Sequence, residues 1–66
     1  MNYYIEGCPI KFHDLLEIFD FLMNLPPFLI YQYDGLLICC NDHRLMWIRV
    51  FYNSSFYYVT YLNYPK

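Results

Sequence analysis

The spacing of apolar residues predicts one helix near the start of the chain. Between Pro9 and Pro26 the apolar residues recur at intervals of three and four, which places them along one stripe of a helix: Phe12, Leu15, Leu16, Phe19, Leu22 and Met23. A proline suits the first turn, and a residue that precedes a proline disfavours helical geometry. The pattern therefore predicts an amphipathic helix over residues 10–24, with Phe21 near the opposite side and directed toward solvent.

The remaining chain is typical of β-structure. A short run at residues 3–6, ahead of Gly7, predicts a first strand. Four further runs rich in aromatic and β-branched residues, separated by turn residues, predict strands at 28–33, 36–40, 44–52 and 56–63. Asp34-Gly35 suits a type I′ turn, so the first two of these runs are expected to form a hairpin. The predicted fold class is α+β: a small single domain of order β-α-β-β-β-β, with one amphipathic helix packed on an antiparallel meander sheet whose strand order stays open.

Both faces of this predicted sheet are apolar. Alternation along residues 44–52 places Met46, Ile48 and Val50 on one side, and Leu45, Trp47, Arg49 and Phe51 on the other. One helix of this length, about 22 Å, can cover only one face. A soluble protein seldom leaves a large apolar patch without a partner, so the second face is expected to bind another molecule.

Composition strengthens the same expectation. The chain has 66 residues, of which 59% are hydrophobic and 15% are charged. This excludes an intrinsically disordered chain. A domain of this size withdraws only roughly 60% of its unfolded surface from water, so it carries more apolar side chains than one core can hold. So small an interior also disfavours a desolvated catalytic pocket, and we expect the protein not to be an enzyme.

Charge and cysteine content narrow the partner and the compartment. The net charge is −2 with four Lys and Arg, which disfavours direct nucleic-acid binding and attachment to a membrane surface. Proline, aspartate and glycine interrupt the longest apolar tract, residues 25–40, so no membrane span is expected. Three cysteines and a start without a secretory signal favour free thiols in the cytoplasm.

Candidate chemistry is sparse. Cys40 and His43 form one C-x-x-H module, but Cys8 and His13 offer no matching second module, so we expect no metal and no cofactor. Cys8 near a helix start could have a reactive thiol, yet His13 lies poorly for a base. We therefore predict no catalytic residue.

The best candidate binding residues lie on the strand predicted at residues 44–52. Trp47, Arg49 and Phe51 are the residue types that dominate binding hot spots, although the two rings could instead close a second core layer. Three tyrosines of the last run and one helix residue extend the candidate surface for partner binding or self-association: Tyr57, Tyr58, Tyr61 and Phe21. For the tyrosines the alternative is an ordinary exposed sheet, and for Phe21 it is docking within the same fold.

The function expected from these observations is binding. Residues with AT-rich codons, such as Phe, Tyr, Ile and Asn, are abundant and favour a phage or mobile-element gene, although an AT-rich bacterial genome would give the same bias. The leading hypothesis is a non-enzymatic inhibitor that evades host defence by blocking a host protein stoichiometrically in the host cytoplasm, with a homodimer as the first expectation. The alternative is a structural or regulatory subunit of a larger assembly with an obligate apolar interface.

Overall fold

The computed structural model describes residues 2–65 and shows a five-stranded antiparallel sheet with two short helices on one face. The α+β fold class is confirmed. The strands are β1 (Tyr3–Ile5), β2 (Lys11–Phe12), β3 (Leu37–Cys40), β4 (His43–Tyr52) and β5 (Tyr57–Asn63), and the helices are α1 (Leu15–Met23) and α2 (Pro27–Ile30). The strand order across the sheet is β2-β1-β3-β4-β5, so β3, β4 and β5 form a meander.

The core lies between this sheet and the helices. Alternation brings Ile5, Ile38 and Ile48 to the same face of three adjacent strands, and none of them exposes any surface. Ile18 and Leu22 of α1 cover them and are also fully buried. Because one layer of helices covers one face of the sheet, the opposite face has no such cover among residues 2–65.

Helix α1 begins at Leu15, so the predicted start at residue 10 is wrong. The Asp14 carboxylate caps the helix by accepting the N–H of Glu17 at 2.9 Å, and the Glu17 carboxylate accepts the N–H of His13 at 2.8 Å. These bonds satisfy N–H groups that have no partner within the helix. The D-x-x-E capping pattern, rather than Pro9, therefore fixes the start of α1.

The predicted buried stripe of the helix was also out of phase. Leu16, placed in that stripe, exposes 71% of its surface, whereas Ile18, left out of it, is fully buried. Phe21 was predicted to face solvent, but its ring lies 5.4 Å from that of Phe12 in the core. Apolar residues occur on several sides of α1, so the helical period fits more than one stripe, and packing on the sheet selects the stripe through Ile18.

The strand predicted at 28–33 is wrong, because this segment is helical. Pro27 stands at the first helical position of α2, and a 3₁₀ turn over Tyr31–Tyr33 follows. Ile30 is buried and Tyr33 packs edge-on against Phe21, 5.8 Å away, so the inward residues are spaced by three. A short apolar run cannot distinguish strand from helix by period alone. Strand β1 takes the position beside β3 that residues 28–33 were expected to hold.

The Asp34-Gly35 turn has a different geometry from the predicted hairpin turn. Asp34 has φ −62° and ψ 128°, and Gly35 has φ 83°. The Leu36 N–H donates to the Tyr33 carbonyl at 3.1 Å, which completes a type II turn. The turn therefore connects the 3₁₀ segment to β3 instead of joining two strands.

The type I′ hairpin turn lies one element later. Asn41 and Asp42 both have positive φ, 49° and 68°, and they connect Cys40 to its cross-strand partner His43. Asn and Asp tolerate this conformation better than other side chains do. The turn therefore fixes the register of β3 against β4.

Burial of ionisable side chains predicts a loss of stability at high pH. Burial raises the pKa of the Tyr61 hydroxyl and of the Cys39 thiol above their ordinary values. The unfolded chain therefore releases these protons first, so their contribution is intact at neutral pH and disappears as the pH rises through the folded pKa values. We expect the urea midpoint to fall steadily between about pH 8.5 and about pH 11.

Phenylalanine variants identify the groups responsible for that fall. Replacing Tyr61 by Phe removes a partly buried ionisable group and should flatten the alkaline decline, and Tyr58→Phe, a change at a more exposed ring of the same strand, serves as the matched control. A midpoint that stays constant to about pH 11 would contradict the expectation.

Candidate functional site

The uncovered face of the sheet, opposite α1, carries the candidate site. We call it the open face and define it by the cross-strand register as Tyr4, Lys11, Leu37, Cys39, Arg44, Trp47, Arg49, Phe51, Tyr58, Thr60, Leu62 and Tyr64. Leu37 and Cys39 are buried beneath their neighbours. The other side chains form the surface itself.

Aromatic rings cover the end of the open face near the turn between β4 and β5. Phe51 and Tyr58 are direct cross-strand partners whose rings stack with centroids 5.4 Å apart and planes inclined by 23°. They expose 38% and 43% of their surfaces. Phe56, 55% exposed, lies 6.1 Å from Tyr58. Aromatic pairs of this kind present a rigid apolar surface with little side-chain entropy left to lose.

A shallow recess of about 430 Å³ lies beside these rings. Trp47, Arg49 and Leu62 line it, together with the Asp34-Gly35 turn. The Arg49 Nε lies 3.3 Å from the Asp34 carboxylate, yet the arginine side chain remains 43% exposed. The ion pair holds the guanidinium at the rim, where its remaining donors can meet a carboxylate or carbonyl group.

The open face carries charges of both signs. Lys11 lies over Tyr4, Arg44 over Tyr64 and Arg49 over Phe51, at 4.8, 5.6 and 5.6 Å from the ring centroids. The Arg44 guanidinium also donates to the Tyr64 hydroxyl at 3.1 Å, and this bond raises the pKa of Arg44. Carboxylates accompany these cations: Asp34 contacts Arg49, Asp42 accepts the Tyr4 hydroxyl at 3.4 Å, and Glu6 interacts electrostatically with Arg44. Each cation is thus balanced by a nearby carboxylate, and the charge of the open face does not select an acidic partner.

Four of the predicted binding residues, Trp47, Arg49, Phe51 and Tyr58, lie together on the open face. Tyr57 and Tyr61 do not, because alternation along β5 directs them toward the helices. The Tyr61 ring packs 4.3 Å from that of Phe19, and the Tyr57 ring meets that of Tyr31 at 5.4 Å.

Phe21 is likewise absent from the open face, because it packs in the core. The three residues Phe21, Tyr57 and Tyr61 therefore do not contribute side chains to the open face.

The thiols and histidines do not converge. Cys40 and His43 are cross-strand partners, but Cys40 is buried and His43 is exposed. Among residues 2–65 no group of three or more His, Cys, Asp and Glu side chains could hold a metal ion. Burial raises the pKa of the Cys39 thiol, which keeps it protonated and poorly nucleophilic.

A second apolar recess was missed by the sequence analysis. This hairpin groove, about 300 Å³ in volume, lies between the helices and the turn after β4, and its lining includes Met23, Pro27, Tyr52 and Phe56. Met23 is 70% exposed and Tyr52 is 57% exposed. The groove combines two segments that are distant in sequence, residues 23–30 and 52–59, so no local pattern indicates it.

Comparison of the chain with models of protein families, with curated proteins and with solved structures gives no match. Within residues 2–65, no helix has both the length and the apolar character needed to cross a membrane. The candidate function therefore depends on the geometry of the open face.

Proposed function

We propose that the protein is a non-enzymatic binding protein whose open face covers a functional surface of a partner protein. The observation that carries this proposal is the exposed Phe51 and Tyr58 stack beside the recess of Trp47 and Arg49. Large rings and arginine dominate the energetics of protein interfaces. Here they stand on adjacent strands of one sheet, so little ordering is needed on binding.

The chemistry of the open face specifies the partner. A protein surface with an apolar side chain at its centre and a carboxylate or carbonyl group beside it would fill the recess and meet the remaining donors of Arg49. A small molecule fits less well, because the recess is shallow and broad.

Inhibition would follow from occlusion alone. A protein of 8.2 kDa that covers an active or docking surface blocks that surface without any chemical reaction, and inhibition is complete when one molecule is bound to each target. A phage or mobile-element gene would place this inhibitor in the host cytoplasm, where a defence protein is a fitting target.

Photo-crosslinking tests the open face directly. A photoreactive phenylalanine analogue at Tyr58 should capture one discrete partner, whereas the same group at Leu16, exposed on α1, should not. With the captured protein purified, Trp47→Ala should weaken its binding about tenfold or more. Titration calorimetry measures that change and the stoichiometry.

Circular dichroism provides the control for folding, because the Trp47 variant must retain its sheet for the loss of affinity to count. Equal capture from both positions, or unchanged affinity after Trp47→Ala, would overturn the proposal.

The hairpin groove favours a second candidate function, that of a subunit in a larger assembly. A protein with two adjoining apolar surfaces, one around Phe51 and one around Met23, that share Phe56 and Tyr58 could be enclosed on both sides. Such a subunit should aggregate when expressed alone, whereas the inhibitor should remain in solution as a defined species.

A further inference from the structure

Strand β5 forms an edge of the sheet that lacks the usual protection against pairing. Its residues, Tyr57–Asn63, include no charged side chain and no proline, and seven consecutive residues pair with β4 without a bulge. Natural edge strands are usually short, charged, bulged or interrupted by proline. The opposite edge, β2, fits that rule because it has two residues and carries Lys11.

The hydrogen bonds around β5 fix which of its backbone groups point outward. The Asn53 N–H donates to the Phe56 carbonyl, and the Tyr64 N–H donates to the Leu45 carbonyl, each at 3.0 Å. Because backbone groups alternate along a strand, these two bonds show that the N–H and C=O groups of the even-numbered residues of β5 point toward β4. The residues with outward N–H and C=O groups are Tyr57, Val59, Tyr61 and Asn63. No hydrogen bond within residues 2–65 joins these groups to another segment.

We infer that β5 pairs antiparallel with β5 of a second copy of the chain, around a two-fold axis at Thr60. This register places Val59 opposite Tyr61, and Tyr57 opposite Asn63, of the second copy. All these residues carry outward groups, so about eight hydrogen bonds form. The two sheets then become one continuous sheet of ten strands.

The side chains favour the same register. Val59 against Tyr61 is a β-branched and aromatic pair on the helix side, and Tyr58 against Leu62 is an apolar pair on the open face. A shift of one residue would oppose outward groups with inward groups, and a shift of two would leave part of β5 unpaired. The strand is thus complementary to itself at its centre.

The pairing also has a consequence for the open face. Both copies present that face on the same side of the continuous sheet, so two Arg49 recesses lie on one surface. The inference does not depend on the proposed function, because the pairing is made by the outward backbone groups of β5, although the side chains of Tyr58, Thr60 and Leu62 on the open face lie beside it.

The test uses Thr60, which lies at the axis and opposite Arg49 of its own chain. In Thr60→Glu the introduced carboxylate can pair with Arg49 and preserve the monomer, but two such carboxylates meet at the axis. We expect size-exclusion chromatography with light scattering to show a dimer for the natural chain. For Thr60→Glu the same measurement should show association that is about tenfold or more weaker. Thr60→Gln, the matched neutral control, should remain dimeric.

Mixing opposite charges supplies the decisive measurement. Thr60→Glu and Thr60→Lys should each be mainly monomeric alone and should form a heterodimer when combined, while circular dichroism confirms that both are folded. A monomeric natural chain at the highest concentration reached would overturn the inference. So would a dimer that resists Thr60→Glu and is lost with Trp47→Ala, since it would use the open face. If the natural chain is monomeric and still binds a partner protein through the open face, the β5 pairing is overturned and the proposed function stands.

Discussion

Replacing Ile18 by alanine is expected to lower the free energy of unfolding by about 2 to 4 kcal/mol. Ile18 exposes no surface and lies in the cluster that joins α1 to the sheet. The substitution removes apolar contacts and leaves a cavity that the short helix cannot close. Since a domain of this length has a total stability of roughly 3 to 10 kcal/mol, much of that stability would disappear.

Leu16 on the same helix is the matched control. It has a side chain of the same size as Ile18 but is 71% exposed, so Leu16→Ala should change the free energy of unfolding by less than about 0.5 kcal/mol. Urea denaturation followed by circular dichroism measures both values. Equal losses, or a larger loss at Leu16, would show that α1 presents a different face to the sheet.

This pair of residues also marks the limit of prediction from sequence for the helix. Apolar spacing identifies a helix before Pro26, because the whole segment is consistent with a 3.6-residue period. It does not identify the buried side, since Leu16 and Ile18 are equally apolar and only the position of the sheet distinguishes them. The start of α1 was accessible, however, in the Asp14 and Glu17 capping pattern.

Strands were predictable where alternation extends over a long run. Residues 44–52 were predicted as a strand, and β4 occupies His43–Tyr52. The prediction for residues 28–33 failed because the run is short and almost entirely apolar, and because Pro27 begins a helix there. Tertiary packing of Ile30 then fixes the helical conformation, which no local property of the run requires.

The open face was predictable from the alternation of side chains along each strand, because every second residue lies on the same face of the sheet. Trp47, Arg49 and Phe51 alternate along one strand and therefore share the open face. The same parity separates Tyr58 from Tyr57 and Tyr61, so their different placement could have been deduced from the last run alone. The Asp34 contact with Arg49 could not, because it depends on a turn that follows an unpredicted helical segment.

Replacing Asp34 by alanine is expected to cost about 2 kcal/mol of stability and to loosen the recess of the open face. One oxygen of the Asp34 carboxylate accepts the Val50 N–H at 2.8 Å and lies 3.3 Å from the Arg49 Nε. Alanine leaves the partly buried Val50 N–H without its acceptor and Arg49 without its anchor. Most of the loss should come from the N–H group, because the ion pair is partly exposed and solvent screens it.

Asparagine separates the two contributions. Asp34→Asn keeps an oxygen for the Val50 N–H but removes the charge, so it should retain most of the stability lost in Asp34→Ala. Asp20→Ala, a change at an exposed carboxylate of α1, provides the control for loss of charge alone. Urea denaturation gives the three stabilities, and exchange of the Val50 amide proton reports on the bond itself. If the Val50 amide proton exchanges as slowly in Asp34→Ala as in the natural chain, the turn does not anchor β4, and other contacts determine the shape of the recess.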